Sequence, residues 1–161
     1  VQALETLELV TIDRDGRANQ VQINSSKVVS PDDRITAIPQ DGYHAPVRRT
    51  VDLLTDRIGP DAGIILFGSV ARGDADRASD IDLFVVVDDD RMAAQRTAHS
   101  IEDEFASERF DGDRYEPHIV VETQESAVTH DQIQAILTEG LTLQETPVLD
   151  SVKDEVFANG A

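Results

Sequence analysis

The chain contains no cysteine and only two lysines, Lys27 and Lys153. Without cysteine there can be no disulfide, no thiolate nucleophile and no cysteine-ligated metal. No apolar run approaches the roughly 18 residues that a membrane span requires, and the opening residues lack the basic-then-apolar order of a secretory signal. A soluble cytoplasmic protein with no membrane partner is therefore expected. What is present is enough for one ordinary domain and a small appendage: 161 residues, of which 40% are apolar, so a real core can be buried.

Acidic residues number 32 against 14 basic ones, a formal net charge of −18, and Asp outnumbers Glu. Acidity of this kind normally repels nucleic acid, because phosphate binding is driven by Lys and Arg displacing counterions. Here the excess runs along the whole chain. That pattern suits a surface adapted to very salty cytoplasm, where charge repulsion is screened within about 3 Å at 1 M salt. The charge is read as adaptation to a halophilic solvent and not as a statement about partners.

Val1 to Glu8 has helical spacing but is too short to stand alone. The short β-type runs Leu9–Ile12 and Gln20–Ile23 flank Asp15-Gly16, a hairpin signal. Residues 30–45 hold two prolines and Asp41-Gly42 and read as a linker. Val47, Val51, Leu54 and Ile58 then form one helical stripe that stops at Gly59-Pro60. Ile64–Phe67 is a short strand. Ile81–Val87 is a nearly continuous apolar run, as expected of a central strand covered on both faces. Ala94, Ala98, Ile101 and Phe105 make another helical stripe, His118–Val121 a further strand, and Ile133, Ile136 and Leu137 a last helix stopped by Gly140. Leu141–Leu143 could add a final strand. Helices and strands mixed around one sheet give an α/β or α+β domain from about residue 46 to the end, preceded by a short helix and a hairpin.

The chemistry lies between Ile64 and Val87. Gly68 and Ser69 stand where a strand hands over to a helix. Free backbone N–H groups there can hold phosphate oxygens, with the Ser69 hydroxyl and Arg72 as further donors. After ten intervening residues, Asp80 and Asp82 stand at i and i+2 on a strand and project from one face. Two adjacent carboxylates at the head of a buried strand repel unless a cation lies between them, and paired oxygens suit Mg²⁺. A phosphate cradle beside a carboxylate pair fits metal-assisted phosphoryl or nucleotidyl transfer, in which ions about 4 Å apart stabilise the attacking and leaving oxygens. Asp74, Asp76 and Arg77 read as a solvated loop, and Asp88–Asp90 as charges at the start of the next helix. The four histidines show no metal-ligand spacing, so no zinc site is expected.

Phe67-Gly68-Ser69, ten residues, then Asp80-Ile81-Asp82 resembles the signature of the nucleotidyltransferase superfamily. That superfamily includes DNA polymerase beta, kanamycin nucleotidyltransferase and the minimal nucleotidyltransferases. Val70-Ala71-Arg72-Gly73 and Ser79 are similar to the minimal prokaryotic and archaeal members. The resemblance spans roughly Val47 to Leu143. It implies Asp80 and Asp82 as ligands of Mg²⁺ or Mn²⁺, with Gly68, Ser69, Arg72 and Ser79 against a nucleoside triphosphate. It also implies a third carboxylate on the strand after the next helix, activating the attacking hydroxyl. Glu116 is the acid nearest that place, and on a strand Glu116 and His118 share a face, so either could look toward the aspartates.

Leu4, Leu7, Leu9-Val10, Gly16-Arg17, Asn19 and Ile23-Asn24 are similar to the last helix and β-wing of a winged helix-turn-helix, as found ahead of archaeal nucleotidyltransferase domains. On that resemblance most of the helix that would enter a DNA groove is missing, so DNA would be bound only through a complete winged helix. The alternative is a hairpin packed on the catalytic domain. The implied activity is transfer of an NMP, AMP from ATP by preference, to an acceptor hydroxyl. Because minimal members often modify a helical partner toxin, a protein hydroxyl is the favoured acceptor. The other expectation is a winged-helix regulator whose second domain only holds nucleotide or a partner. A homodimer is left open. The acidic surface carries one physical prediction: the melting temperature should fall clearly when KCl is lowered from molar to low concentration. A melting curve that does not move would remove the halophilic reading.

Overall fold

The computed structural model describes Val10–Asp13, Gln20–Ile23 and residues 33–159. These fall into two units, a hairpin and a larger body beginning at Arg34, each described by itself. In the hairpin, β1 (Val10–Asp13) and β2 (Gln20–Ile23) pair antiparallel, Val10 opposite Ile23 and Asp13 opposite Gln20. The helical reading of Val1–Glu8 and the Asp15-Gly16 turn lie outside the described residues.

The larger body is a four-stranded mixed sheet with helices on both faces. Its elements are α1 (His44–Arg57), β3 (Gly63–Phe67), α2 (Gly68–Arg72), β4 (Ile81–Val87), α3 (Arg91–Phe105), β5 (Pro117–Thr123), α4 (Gln124–Val128), α5 (Ile133–Glu139), β6 (Leu141–Gln144) and α6 (Pro147–Asn159). The strand order is β5-β4-β3-β6. β3 runs antiparallel to both β4 and β6, whereas β4 and β5 are parallel.

β4 explains why the sheet is covered twice. Its side chains alternate between faces. Ile81, Leu83, Val85 and Val87 join a cluster with Val47 and Leu54 of α1 and Ala98, Ile101 and Phe105 of α3. Phe84 and Val86 join a second cluster with Ile133 and Ile136 of α5 and Leu149, Val152 and Val156 of α6. The helix caps follow local chemistry. Asp90, with φ of 48°, accepts a hydrogen bond from the Ala93 backbone N–H and starts α3. Thr123 and Ser126 exchange backbone and side-chain hydrogen bonds in a capping box on α4. Gly140 ends α5 where a Cβ would strike the Ile136 carbonyl and the Ile65 side chain, so only glycine permits that close approach to β3.

Two segments differ from the sequence reading. Residues 34–43, read as part of a linker, form two 3₁₀ turns that bury Ile35, Ile38 and Tyr43 in the core. The helix expected to be the last is followed by another, α6. That helix is anchored at its start, where Glu145 accepts from Lys153 Nζ at 2.9 Å and from Arg34 at 3.1 Å. A hydrogen bond from Asp150, aided by Lys153 and Arg34, overcomes burial and holds the Glu145 carboxyl down to about 2. Among the described residues, no helix is long and apolar enough to cross a membrane.

Phe84 is fully buried on the α5–α6 side of the sheet. Replacing it with Ala should cost about 3–5 kcal/mol. Urea unfolding of Phe84→Ala against wild type measures this, and a loss under 1 kcal/mol would mean that face is not packed as described.

Candidate active site

One end of the sheet collects the exit of β3 and the entries of β4 and β5. Register places Phe67 opposite Asp82, and Asp82 opposite His118. β3 passes directly into α2 through Gly68, whose φ is +76°. A Cβ at Gly68 would collide with Asp82 Oδ2. Glycine is needed twice over here, for the left-handed backbone and for the close approach. On its other side, Asp82 Oδ1 lies 3.3 Å from Nδ1 of His118, which can donate to it. The Asp82 carboxylate is thus held between a backbone turn and an imidazole ring.

Asp82 is half-buried, and Asp80, two residues earlier, is exposed. Burial pushes the Asp82 carboxyl up, and the Asp80 charge pushes the same way, while His118 and Arg72 oppose it. A cation beside the pair would oppose both the burial cost and the smaller Asp80 repulsion. That donor chemistry fits a hard divalent ion at the two aspartates. Among the described residues, however, no three His, Asp or Glu side chains are gathered as a ready-made metal cluster.

The other residues expected at the site are placed as follows. Ser69, half-buried in the first turn of α2, makes no side-chain hydrogen bond to another described residue, so its hydroxyl is available. Arg72, at the end of α2, has Nε 3.6 Å from Asp74 and lines a cavity of about 260 Å³ with Phe67, Gly68, Gln132, Ile136 and Glu139. Ser79 is engaged in its own loop, its Oγ accepting from the Asp76 backbone N–H at 2.9 Å. It borders a crevice with Tyr43, Arg77 and Arg114 instead of the Gly68 cavity. Glu116 stands just before β5, its carbonyl accepting from Ile81 N–H at 2.9 Å. It borders a different crevice, beside Glu102, Asp103 and Phe105 at the end of α3. The contact with Asp82 is made by His118.

Compared with known protein families, residues 47–142 match the nucleotidyltransferase domain family. The chain belongs to that family. Neither the curated proteins nor the solved structures contain a match to it. The matched segment begins in α1 and ends in β6, so it covers the sheet and every site residue named above. The family match agrees with the resemblance carried by Phe67-Gly68-Ser69 and Asp80-Ile81-Asp82.

A charge-strained Asp82 has a consequence for stability. A carboxyl whose folded-state pKa is raised costs stability wherever it is ionised, at pH above its folded-state value. Asp82→Asn should accordingly be more stable than wild type at pH 7, by up to about 1 kcal/mol after solvent screening of a partly exposed group. The gap should close as pH falls toward the ordinary 3.8. Melting temperatures of both proteins across pH test it; an Asn variant less stable at pH 7 would contradict the strain.

Proposed function

We propose that this nucleotidyltransferase uses a divalent metal, Mg²⁺ in the first instance, to move AMP from ATP to a hydroxyl on a partner protein. The reading follows the toxin–antitoxin-like pairs in which minimal members of the family act. The observation that carries it is the contact of the Gly68 turn with Asp82, two residues from a second aspartate, Asp80, at the start of β4. A nucleoside triphosphate brought to Gly68 and Ser69 would lie next to the carboxylate of Asp82.

The work divides by residue. Gly68 gives the phosphates access to backbone N–H groups, the free Ser69 hydroxyl donates to a phosphate oxygen, and Arg72 offers a guanidinium from the cavity side. Asp80 and Asp82 would hold the metal, which neutralises charge on the triphosphate when bound. The acceptor oxygen attacks the α-phosphorus, the bond from that phosphorus to the bridging oxygen breaks, and pyrophosphate leaves. The acceptor's proton passes to a base at the β4–β5 edge, where Glu116 and His118 are the two groups within the same stretch of chain. Half-burial of Asp82 strengthens each of these electrostatic contacts relative to water.

Calorimetric titration of ATP in molar KCl, with and without Mg²⁺, tests the site. Wild type should bind ATP in a metal-dependent manner, and Asp80→Ala/Asp82→Ala should lose at least about tenfold in affinity, the equivalent of about 1.4 kcal/mol. Transfer of label from α-labelled ATP to the partner protein then tests the reaction. Metal-independent binding, unchanged in the double variant, would instead favour a regulator in which the domain only holds nucleotide or a partner.

A further inference from the structure

We propose that the crevice at the entries of β4 and β5, which carries Arg77, Arg114 and the Tyr115 hydroxyl, is the acceptor-docking site, and that it takes a partner-protein segment with carboxylate side chains beside the hydroxyl to be modified. The inference rests on the nucleotidyl-transfer reading and deepens it by naming the chemistry of the acceptor.

Position is the first support. The crevice, about 360 Å³, lies between residues 75–79, which lead into β4, and residues 113–115, which lead into β5. The Ile81 N–H donates to the Glu116 carbonyl at 2.9 Å and ties the two approaches together. Ser79 lines the crevice, and Asp80 is the next residue along the chain. Tyr115 packs with the cluster of Leu54 and Ile101. The Gly68–Arg72 cavity lies on the other side of the sheet, where Phe67 and Ile136 pack with Phe84. A triphosphate at Gly68 and an acceptor in the crevice would therefore reach the end of β4 from opposite faces.

Unspent donors are the second. The chain has 32 acidic residues, and Arg34, Arg49, Arg57, Arg72 and Arg91 each stand 3.0–3.6 Å from one of them. Arg77 and Arg114 are exposed and make no ion pair or hydrogen bond to another described residue. The Tyr43 hydroxyl donates to the Asp76 carbonyl at 3.0 Å, whereas the Tyr115 hydroxyl has no such partner among the described residues. Of the acids in the lining, Asp76 turns Oδ1 to the Ala78 N–H at 2.8 Å inside its own loop, and Asp113 pairs with neither arginine. Two guanidinium groups and a phenol are thus left without an acceptor, and a carboxylate takes guanidinium donors in bidentate fashion.

The walls are fixed before anything binds. Gln40 holds Ala75 twice, its Nε2 donating to the carbonyl at 3.0 Å and its Oε1 accepting from the N–H at 3.1 Å. The Tyr115 ring meets Tyr43 and Phe110 edge-on, with centroids 5.3 and 5.9 Å apart, and Phe110 stacks on Phe105 of the core. A frame of this kind lowers the ordering cost of binding. Net charge decides which anion is taken. At −18 the chain repels a polyanion such as nucleic acid. A segment bearing one or two carboxylates brings the anion with little of that penalty.

Binding to the full chain can be followed by the ¹H–¹⁵N NMR shifts of residues 75–79 and 113–115. The probes are the acetylated peptide Gly-Asp-Ser-Glu-Gly and its counterpart with Asn and Gln in place of the acids. The acidic peptide should shift those amides and bind about fivefold or more tightly than the neutral one. Label from α-labelled ATP should pass to it with the same preference, expressed in KM. Both preferences should vanish in Arg77→Gln/Arg114→Gln, which alters exposed side chains outside the core, while ATP affinity by calorimetry stays that of wild type. Equal binding or labelling of the two peptides, a preference that survives the double substitution, or tighter binding of a short oligonucleotide at the same amides would overturn the inference and leave the nucleotidyl-transfer reading intact. If wild type binds no ATP, that reading falls and the acceptor role with it.

Discussion

The closeness of the Gly68 backbone to Asp82 is the constraint on which the rest of the site depends. A side chain at residue 68 would strike the carboxylate, so β3 can turn into α2 there only with glycine. Asp82 in turn reaches that turn only because the β3–β4 register pairs it with Phe67. A slip of one residue would carry Asp82 to the opposite face and expose every apolar side chain of β4 to the wrong layer. The register is fixed from both sides, by Leu83 and Val85 in one cluster and Phe84 and Val86 in the other. The placement of Asp82 is thus enforced by the two hydrophobic layers.

Charge sets a second requirement. The chain carries a formal −18, and the carboxylates at the head of the sheet face a substrate that is itself a polyanion. One guanidinium, Arg72, cannot offset that field, and it is shared with Asp74. On the proposed function, a cation on the aspartates and screening salt would both ease the approach of a nucleoside triphosphate to this end of the sheet. The Asp82 carboxyl is raised chiefly by its burial, and the neighbouring Asp80 charge adds to it.

Much of this was legible in the sequence because it depends on local pattern. Ile81–Val87 was recognisable as a doubly covered strand from its unbroken apolar run, and the stripes of α1 and α3 from their spacing. Gly68, Ser69, Asp80 and Asp82 were legible because the two short motifs sit at strand ends. What escaped depended on pairing or on weak signals. α4 is a single capped turn after β5. α6 was missed although Pro147 at its first turn and the stripe Val148, Val152 and Val156 are helix-start and core signals; three acids between them mask the stripe. That His118, not Glu116, meets Asp82 could not be read from one strand's alternation, which would put both residues on one face, whereas β5 begins only at Pro117. Only the parallel register of β4 with β5 separates them.

That register also explains why residues so far apart in sequence share one end of the sheet. β4 is the one strand with an antiparallel neighbour on one side and a parallel neighbour on the other. An antiparallel neighbour brings its exit to the place where β4 enters, and β3 accordingly delivers Gly68, Ser69 and Arg72 beside Asp80 and Asp82. A parallel neighbour brings its own entry to the same place, and β5 delivers His118. An all-parallel sheet would put the exit of β3 at the far end, and a fully antiparallel one would carry His118 away. The mixed pairing is therefore a condition for this arrangement, since it gathers the Gly68 turn, Asp80, Asp82 and His118 along one edge.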